Sequence, residues 1–368
     1  MGLDREKPPQ KLSFFEIEMR IRLWWQIRGL DARARHQLSL CHPSPDFGNV
    51  RLPLNVNDSE LHPNMAEAPT VHTGTTEMLY CLLKHEVGQW FRTSVLISNV
   101  LKSKGPRDLF GASQPLEVKD QAIGELEKIF VEKYLRHCDP RIPLHFISLS
   151  ISNLALCRMR FISHHPRNQP DGGAHISQTE SNLLFENGVN LLELDFDCTK
   201  TQFSHTLLSH MTAKSQIDAM IYVLSELRRR PTGDLVTSAW EVIGKLYEEH
   251  PHLTEDTTNT FYVALGDLTL SAWETRQREL LQRQGARIEE ITPPFIYSLM
   301  ATRKRETADI NTIPLGSDGF PGATMLGLGG DGHLPGGWDP NSAFTTNFMP
   351  SEFTDPLDWG YWNEFLQV

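Results

Sequence analysis

Four groups of residues in this chain have types and spacing that suit chemistry. Gly327, Gly329 and Gly332 fit a G-x-G-x-x-G phosphate cradle. That motif works only between a strand and a helix, where the backbone closes on a pyrophosphate. Here it lies in a Gly/Pro tract with neither, so no dinucleotide is expected. His164-His165, His205 and His210 come nearest to a metal pattern. His205 and His210 are five residues apart, about 500° of helical rotation, which leaves them on different faces. No H-E-x-x-H occurs, so a metal-dependent hydrolase built on His164, His165 or His205 lacks its ligand geometry. Asp195-Phe196-Asp197 offers two carboxylates without a glycine-bearing calcium loop or a third acid in register. Cys41, Cys81, Cys138, Cys157 and Cys198 are never closer than 19 residues. They read as free buried thiols rather than zinc ligands. With no nucleophile paired to a base, the expectation is a protein that is not an enzyme and carries no cofactor.

Charge separates the chain into two parts. The net charge is −11, and residues 306–368 hold nine acidic residues with no lysine or arginine. Residues 1–305 therefore hold all 35 basic residues against 37 acidic ones, close to neutrality. A domain that grips DNA through its phosphates is locally basic, so direct DNA binding is not expected. Arg228-Arg229-Arg230 ends a helical pattern and suits the helix macrodipole. Arg303-Lys304-Arg305 borders the acidic part and is a short candidate for nuclear import. No run approaches the roughly 18 consecutive apolar residues of a membrane span.

The elements that would position these residues are helices. Ser13 and Glu16 make a capping box, with Leu12 and Ile17 at the positions of a hydrophobic staple. Phe15, Met19, Leu23, Ile27 and Leu30 then recur every three or four residues, and Phe14, Ile21, Trp24 and Trp25 widen the stripe. A helix over 12–33 set deep in a core is predicted, with Glu16, Glu18, Arg20 and Arg22 at its edges. Residues 42–74 hold five prolines among Asn, Asp and Ser and read as a long ordered loop. Further helical patterns cover 75–103, 116–136, 143–164, 178–210, 213–230, 234–250 and 256–285, divided by Pro and Gly. The fold expected is an all-α array of about eight helices. Nine Gly and three Pro between 314 and 337 suggest a flexible linker over 306–350. In 351–368, Trp359, Trp362 and Phe365 alternate with carboxylates, the composition of activation segments. Their spacing of three also suits docking back on the body.

Several segments carry a family resemblance. Glu18-Met19-Arg20-Ile21-Arg22-Leu23-Trp24-Trp25-Gln26-Ile27, followed by Leu30, Asp31 and Arg33, resembles a segment of the fungal-specific transcription factor domain. This is the middle homology region of regulators with six-cysteine zinc clusters. Leu52-Pro53-Leu54-Asn55-Val56-Asn57-Asp58-Ser59, then Thr75-Thr76-Glu77-Met78, and Tyr134-Leu135 with Cys138-Asp139-Pro140 and Ile142-Pro143 are similar to further stretches of it in the same order. The motif residues Arg20, Arg22, Trp24, Trp25, Asp31, Pro53, Asn55, Asn57, Asp58, Thr76, Glu77, Asp139 and Pro140 read as structural. Arg20 and Arg22 have carboxylates at helical spacing in Glu16, Glu18 and Asp31. Pro53 and Asn55 to Asp58 suit a turn that bonds its own backbone.

The resemblance implies a regulatory domain over 1–305, a linker over 306–350 and an activation segment over 351–368. Gly2-Leu3-Asp4-Arg5 resembles a stretch that lies well inside the family's domain. The expectation is a shortened regulator without the first helices or the zinc cluster, zinc entering only if a cluster lies upstream. The implied function is regulation of transcription in the nucleus for a metabolic or secondary-metabolite pathway. The implied partners are the transcription machinery, an intact regulator and a small-molecule effector. The alternative is a scaffold or inhibitory decoy of an intact regulator.

Overall fold

The computed structural model describes residues 3, 12–37, 49–65, 67–97, 113–169, 176–200, 214–284 and 292–311. Among them every regular element is helical and there is no strand. Residues 306–311 of the expected linker belong to the helix Pro294–Asn311, whereas 312–350, which hold Gly327–Gly332, and Trp359, Trp362, Phe365, Cys41, His205 and His210 lie outside the described residues.

The helices are α1 Phe14–Gln37, α2 Leu79–Thr93, α3 Leu116–Lys133, α4 Pro143–His164, α5 Gln178–Thr199, α6 Lys214–Leu227, α7 Asp234–Glu249, α8 His252–Glu255, α9 Thr260–Gln284 and α10 Pro294–Asn311. Their ends follow local chemistry. At α1 the Ser13 amide donates to Glu16 Oε2 at 2.8 Å and the Glu16 amide to Ser13 Oγ at 3.3 Å, the reciprocal capping box. Ser177 and Glu180 repeat the device at α5. Pro143 and Pro294 occupy first-turn positions, where the missing amide is not needed. Gly233 precedes α7 with φ of 132°, a conformation that excludes a side chain.

The chain divides into two compact units at Met220–Ile221, within α6. In the first unit α4 is central and packs against α2, α3 and α5. It is buried on most sides through Ile147, Ile151, Leu154, Leu156, Met159, Phe161 and Ile162. Ser148 and Ser152, also buried, donate back to the carbonyls of Leu144 and Ser148 at 2.7 and 2.8 Å, so a polar hydroxyl fits inside the core. Polar groups fix the helix junctions. Glu86 on α2, 1% exposed, accepts from Lys133 Nζ and Tyr134 Oη, both at 2.7 Å. Lys119 on α3, fully buried, donates to the Asn168 carbonyl at 2.7 Å. Burial brings its pKa down to about 8.

In the second unit α7 turns Val236, Ala239, Trp240, Ile243, Leu246 and Tyr247 inward. Trp240 meets Trp273 of α9 edge-on at 5.2 Å, and Tyr247 donates to or accepts from Thr269 Oγ1 at 2.8 Å. Tyr247 also stacks on Phe295 of α10, with centroids 5.1 Å apart. Helix α10 was not expected. The helical patterns of the sequence stop at 285, but Pro294 starts a helix that buries Phe295, Ile296 and Leu299. The pattern read as one helix over 256–285 is two, α8 and α9. The expected helix 178–210 is described as far as Thr199.

The depth of α1 is a second correction. Leu23, Ile27 and Leu30 of the predicted core stripe are 49%, 38% and 54% exposed, whereas Glu18, expected at the edge, is fully buried. The residues that pack are Ile21 and Trp25, which form a cluster with Val50 against Ile17, Trp24 and Leu52.

The missed helix supplies a test. Phe295→Ala removes a ring that fills the space between Tyr247 and Gly244, whose position lies 3.3 Å from it. The variant is expected to lose about 3 kcal/mol in urea unfolding, the usual cost of a buried aromatic truncation. A loss within experimental error would show that α10 does not belong to the core of the second unit.

Candidate functional site

The motif residues of the sequence converge on one place, a strap formed by residues 50–60 across α1 and the start of α2. Ile21 and Trp25 emerge from one side of α1 because they are one helical turn apart. Against them the strap lays Val50, 1% exposed, and the half-buried Leu52. At Val50 and Arg51 the strap is extended, and side chains from both helices bond its carbonyls. Trp25 Nε1 donates to the Arg51 carbonyl at 2.8 Å, and Arg92 Nη1 on α2 donates to the Val50 carbonyl at 2.8 Å. The Arg92 guanidinium sits 5.9 Å from the Trp25 ring centroid, in reach of a cation–π contact. Gly88 on α2 leaves room for that ring, since a Cβ there would stand 3.1 Å from Trp25 Cζ3.

Glu18 is the electrostatic centre. Its carboxylate accepts from the Leu54 amide through Oε1 and from Arg51 Nη2 through Oε2, both at 2.8 Å. Arg22, one turn along, lies 3.6 Å from Oε1, a distance of charge attraction without a hydrogen bond. Arg22 turns its Nη1 to Asp58 Oδ1 at 2.6 Å. Asp58 is 71% exposed there, so this pair is worth far less than the buried one.

The strap then locks to the start of α2 through amides and hydroxyls. Asn55 Nδ2 donates to the carbonyls of His72 and Gly74 at 2.8 and 2.7 Å, and its Oδ1 accepts from Thr76 Oγ1 at 2.7 Å. The Met78 amide in turn donates to Thr76 Oγ1 at 3.1 Å. Asn57 and Glu77 are reciprocal: the Glu77 amide donates to Asn57 Oδ1 at 3.2 Å and the Asp58 amide to Glu77 Oε2 at 2.8 Å. Glu60 closes a short 3-10 turn on the Asn57 amide and meets His72 Nε2 at 2.9 Å. The His72 bond, followed by the Asn57 amide, holds the Glu60 pKa below the carboxylate range.

The structure thus brings Arg22, Trp24, Trp25, Pro53, Asn55, Asn57, Asp58, Thr76 and Glu77 into one assembly around α1. Arg20, half-buried, and Asp31, 3.8 Å from Arg28, lie on the same helix. Asp139 and Pro140 build a separate turn before α4, where Asp139 takes Arg141 Nε and Nη2 at 3.0 and 2.6 Å. That bidentate bond lowers the Asp139 pKa. Sequence reasoning missed Arg51, Arg92 and His85. His85 lies beneath Trp25, ring centroids 5.3 Å apart, and is 7% exposed. Burial, with Lys84 adding to it, drives its pKa down to about 3.

The residues read for other chemistry take ordinary structural roles. His164 Nε2 meets Asp120 at 2.9 Å and His165 is buried. Asp195 is buried and Asp197 exposed on α5, and the described residues hold no cluster of three or more metal-ligating side chains. Cys157 donates to the Asn187 carbonyl at 3.3 Å, and burial raises its pKa to about 12. Arg229 and Arg230 pair with Glu226 of their own helix at 3.5 and 2.9 Å. Arg303 donates to Asp267 at 2.7 Å, while the side chains of Lys304 and Arg305 lie outside the described residues. Tyr80, Phe130, Ser148, Ile151 and Ser152 line a cavity of about 10 Å³. That volume suits one water rather than a ligand pocket of several hundred Å³.

Two predictions follow from the geometry of the strap. Glu18→Leu leaves Arg51 and the Leu54 amide without their acceptor and is expected to cost about 3–5 kcal/mol. Asp58→Ala, at the exposed end of the same network, should cost less than about 1 kcal/mol. Equal losses in urea unfolding would contradict the ranking. His85 has a folded pKa near 3 against an unfolded value of 6.5, so the unfolded chain takes up its proton first. Its contribution to stability is complete above pH 6.5 and is lost as pH falls toward 3. Replacing it by Phe should flatten the fall in Tm between pH 6.5 and 4.5; an unchanged slope would rule His85 out.

The relatives are fungal transcription regulators. Over 387 aligned positions the chain is 28% identical to the aurofusarin cluster transcription factor aurR2 of Gibberella zeae, covering 100% of this chain and 56% of the relative. It is 26% identical to the transcriptional regulator AacuB of Aspergillus aculeatus, covering 86% of this chain and 42% of that protein. It is also 26% identical to the pyriculol/pyriculariol biosynthesis cluster transcription factor 1 of Pyricularia oryzae, covering 81% and 40%. The chain therefore spans about half, or less, of the length of these relatives. No family model and no solved structure matches it. The helical chain with its strapped first helix is similar, along its whole length, to part of a pathway-specific fungal transcription factor.

Proposed function

We propose that this chain is the regulatory module of a fungal transcription regulator that controls a metabolic or secondary-metabolite pathway, acts in the nucleus and binds no DNA by itself. The observation that carries this reading is the match of the entire chain to part of the aurofusarin cluster transcription factor. Two features of the sequence support it. Residues 1–305 are near neutral, which suits partner binding better than a phosphate backbone. Residues 351–368 interleave Trp359, Trp362 and Phe365 with carboxylates and suit an activation segment that docks in an apolar groove of the transcription machinery. In this reading residues 1–305 hold the regulatory fold, 306–350 link it to the tail, and the motif residues of the strap maintain the fold.

The second reading is a decoy that pairs with an intact regulator and blunts it. Fusing residues 1–368 to an unrelated DNA-binding module separates the two. Activation is expected to switch on a reporter and to fall to background when Trp359, Trp362 and Phe365 are all changed to Ala. Silence or repression by the fusion would reject the activation reading and favour the decoy.

A further inference from the structure

We infer that Thr232 is a phosphorylation site, read by an arginine-directed protein kinase, and that Arg276 receives the phosphate. Thr232 ends the run Arg228-Arg229-Arg230-Pro231-Thr232 between α6 and α7. Its side chain is exposed, and its hydroxyl meets no partner among the described residues. Residues 230–233 belong to no helix, so an enzyme can take hold of them without melting an element. Arginines two and three positions before a hydroxyl are a charge pattern that an acidic kinase cleft selects. Glu226 serves both of them at once, Arg229 at 3.5 Å and Arg230 at 2.9 Å, and 68% of the Arg229 side chain stays exposed. Arg228 forms no ion pair among the described residues, and its Nη1 is buried without a hydrogen-bond partner. Spacing alone does not decide the site. Arg160 stands three residues before Ser163, but Ser163 is fully buried and out of an enzyme's reach.

The other side of this corner supplies a place for the added charge. Arg276 of α9 is half-buried and has Nη2 3.4 Å from Thr237 Oγ1, but meets no carboxylate among the described residues. Burial without a compensating charge lowers its pKa. Thr237 Oγ1 donates in turn to the Gly233 carbonyl at 3.2 Å, which brings the guanidinium to the residue next to Thr232. Gly233, the N-cap of α7, has no side chain to bond the first amides of that helix, and those amides add donors. Asp234, exposed in the first turn, is the carboxylate that works against a phosphate here. In the transfer, Thr232 Oγ1 attacks the γ-phosphorus of ATP and the bond to the bridging oxygen breaks. ADP leaves, and the hydroxyl proton passes to the catalytic carboxylate of the kinase. The product carries about −1.5 to −2 charges and three acceptor oxygens, which suit a guanidinium that has no anion of its own. The phosphate then ties α9 to the start of α7.

Incubating the full chain with ATP, magnesium and an arginine-directed kinase tests both parts. Mass spectrometry should find phosphate on Thr232, and Thr232→Val should remove it. Phosphorus NMR then titrates the group. Its second pKa should lie below the usual value of about 6, because a guanidinium favours the dianion. Arg276→Gln should return that pKa toward about 6 with Thr232 still modified. Arg276→Lys, which keeps the charge and loses the fork, should leave it between the two. Phosphate found only elsewhere, for instance on Thr307 behind Lys304-Arg305, or none at all, overturns the site. A second pKa that neither Arg276 variant moves overturns Arg276 as the partner of the phosphate.

Discussion

The buried carboxylate of Glu18 is the constraint on which the first unit depends. An ionised group removed from water costs several kcal/mol unless its lone pairs and charge are met. Here Oε1 takes a backbone amide and Oε2 a guanidinium. Both donors belong to the strap, so the carboxylate is satisfied only while the strap lies across α1. The cost of losing Glu18's partners is what fixes the rotation of α1. That rotation sends Ile21 and Trp25 inward and leaves Leu23, Ile27 and Leu30 outside.

The strap passes this constraint on to α2. Residues 50–57 have no strand partner, yet their backbone carbonyls and amides are bonded by Trp25, Arg92, Glu18 and Glu60. Neutral hydrogen bonds contribute about 1 kcal/mol each, so no single one holds the loop. Thr76 bonds the Asn55 side chain, while Asn57 takes the Glu77 amide and Glu77 the Asp58 amide, so the contacts act together. The result is a loop as defined as a helix, with the start of α2 placed relative to α1. Glu86 and Lys119 repeat the principle elsewhere in the unit. In both cases a charge with little or no exposure meets a partner on another element and sets a junction.

Helix periods, caps and breakers were legible in the sequence, because they depend on neighbours within a turn. The limits of α4 follow from Pro143 and from His165-Pro166, and the capping box of α1 from Ser13 and Glu16. The face of α1 was not legible. Its apolar residues run around most of the helix, so periodicity could not say which side packs. The deciding residue, Glu18, reads as a surface charge until Arg51 and Leu54 are known to reach it from 33 and 36 positions away. The start of α10 was lost for a related reason, since the proline that ends most helices opens this one. Within the candidate site, Asn55, Asn57 and Thr76 could be picked from their motif. Arg51, Arg92 and His85 carry no signal in local spacing.

Among the described residues several arginines are held by carboxylates of the same chain. Arg22 turns to Asp58, Arg51 to Glu18, Arg160 to Glu127, Arg230 to Glu226 and Arg303 to Asp267. Arg92 takes a backbone carbonyl instead. A guanidinium held by a carboxylate in the folded chain has its field largely cancelled at the distance of a DNA phosphate, beyond a Debye length of about 8 Å. Arg22 and Arg51 join α1 and the strap, Arg160 joins α4 to α3 and Arg303 joins α10 to α9, while the Arg230 pair is local. A guanidinium that ties two elements serves the architecture first, and losing it loosens the junction it holds.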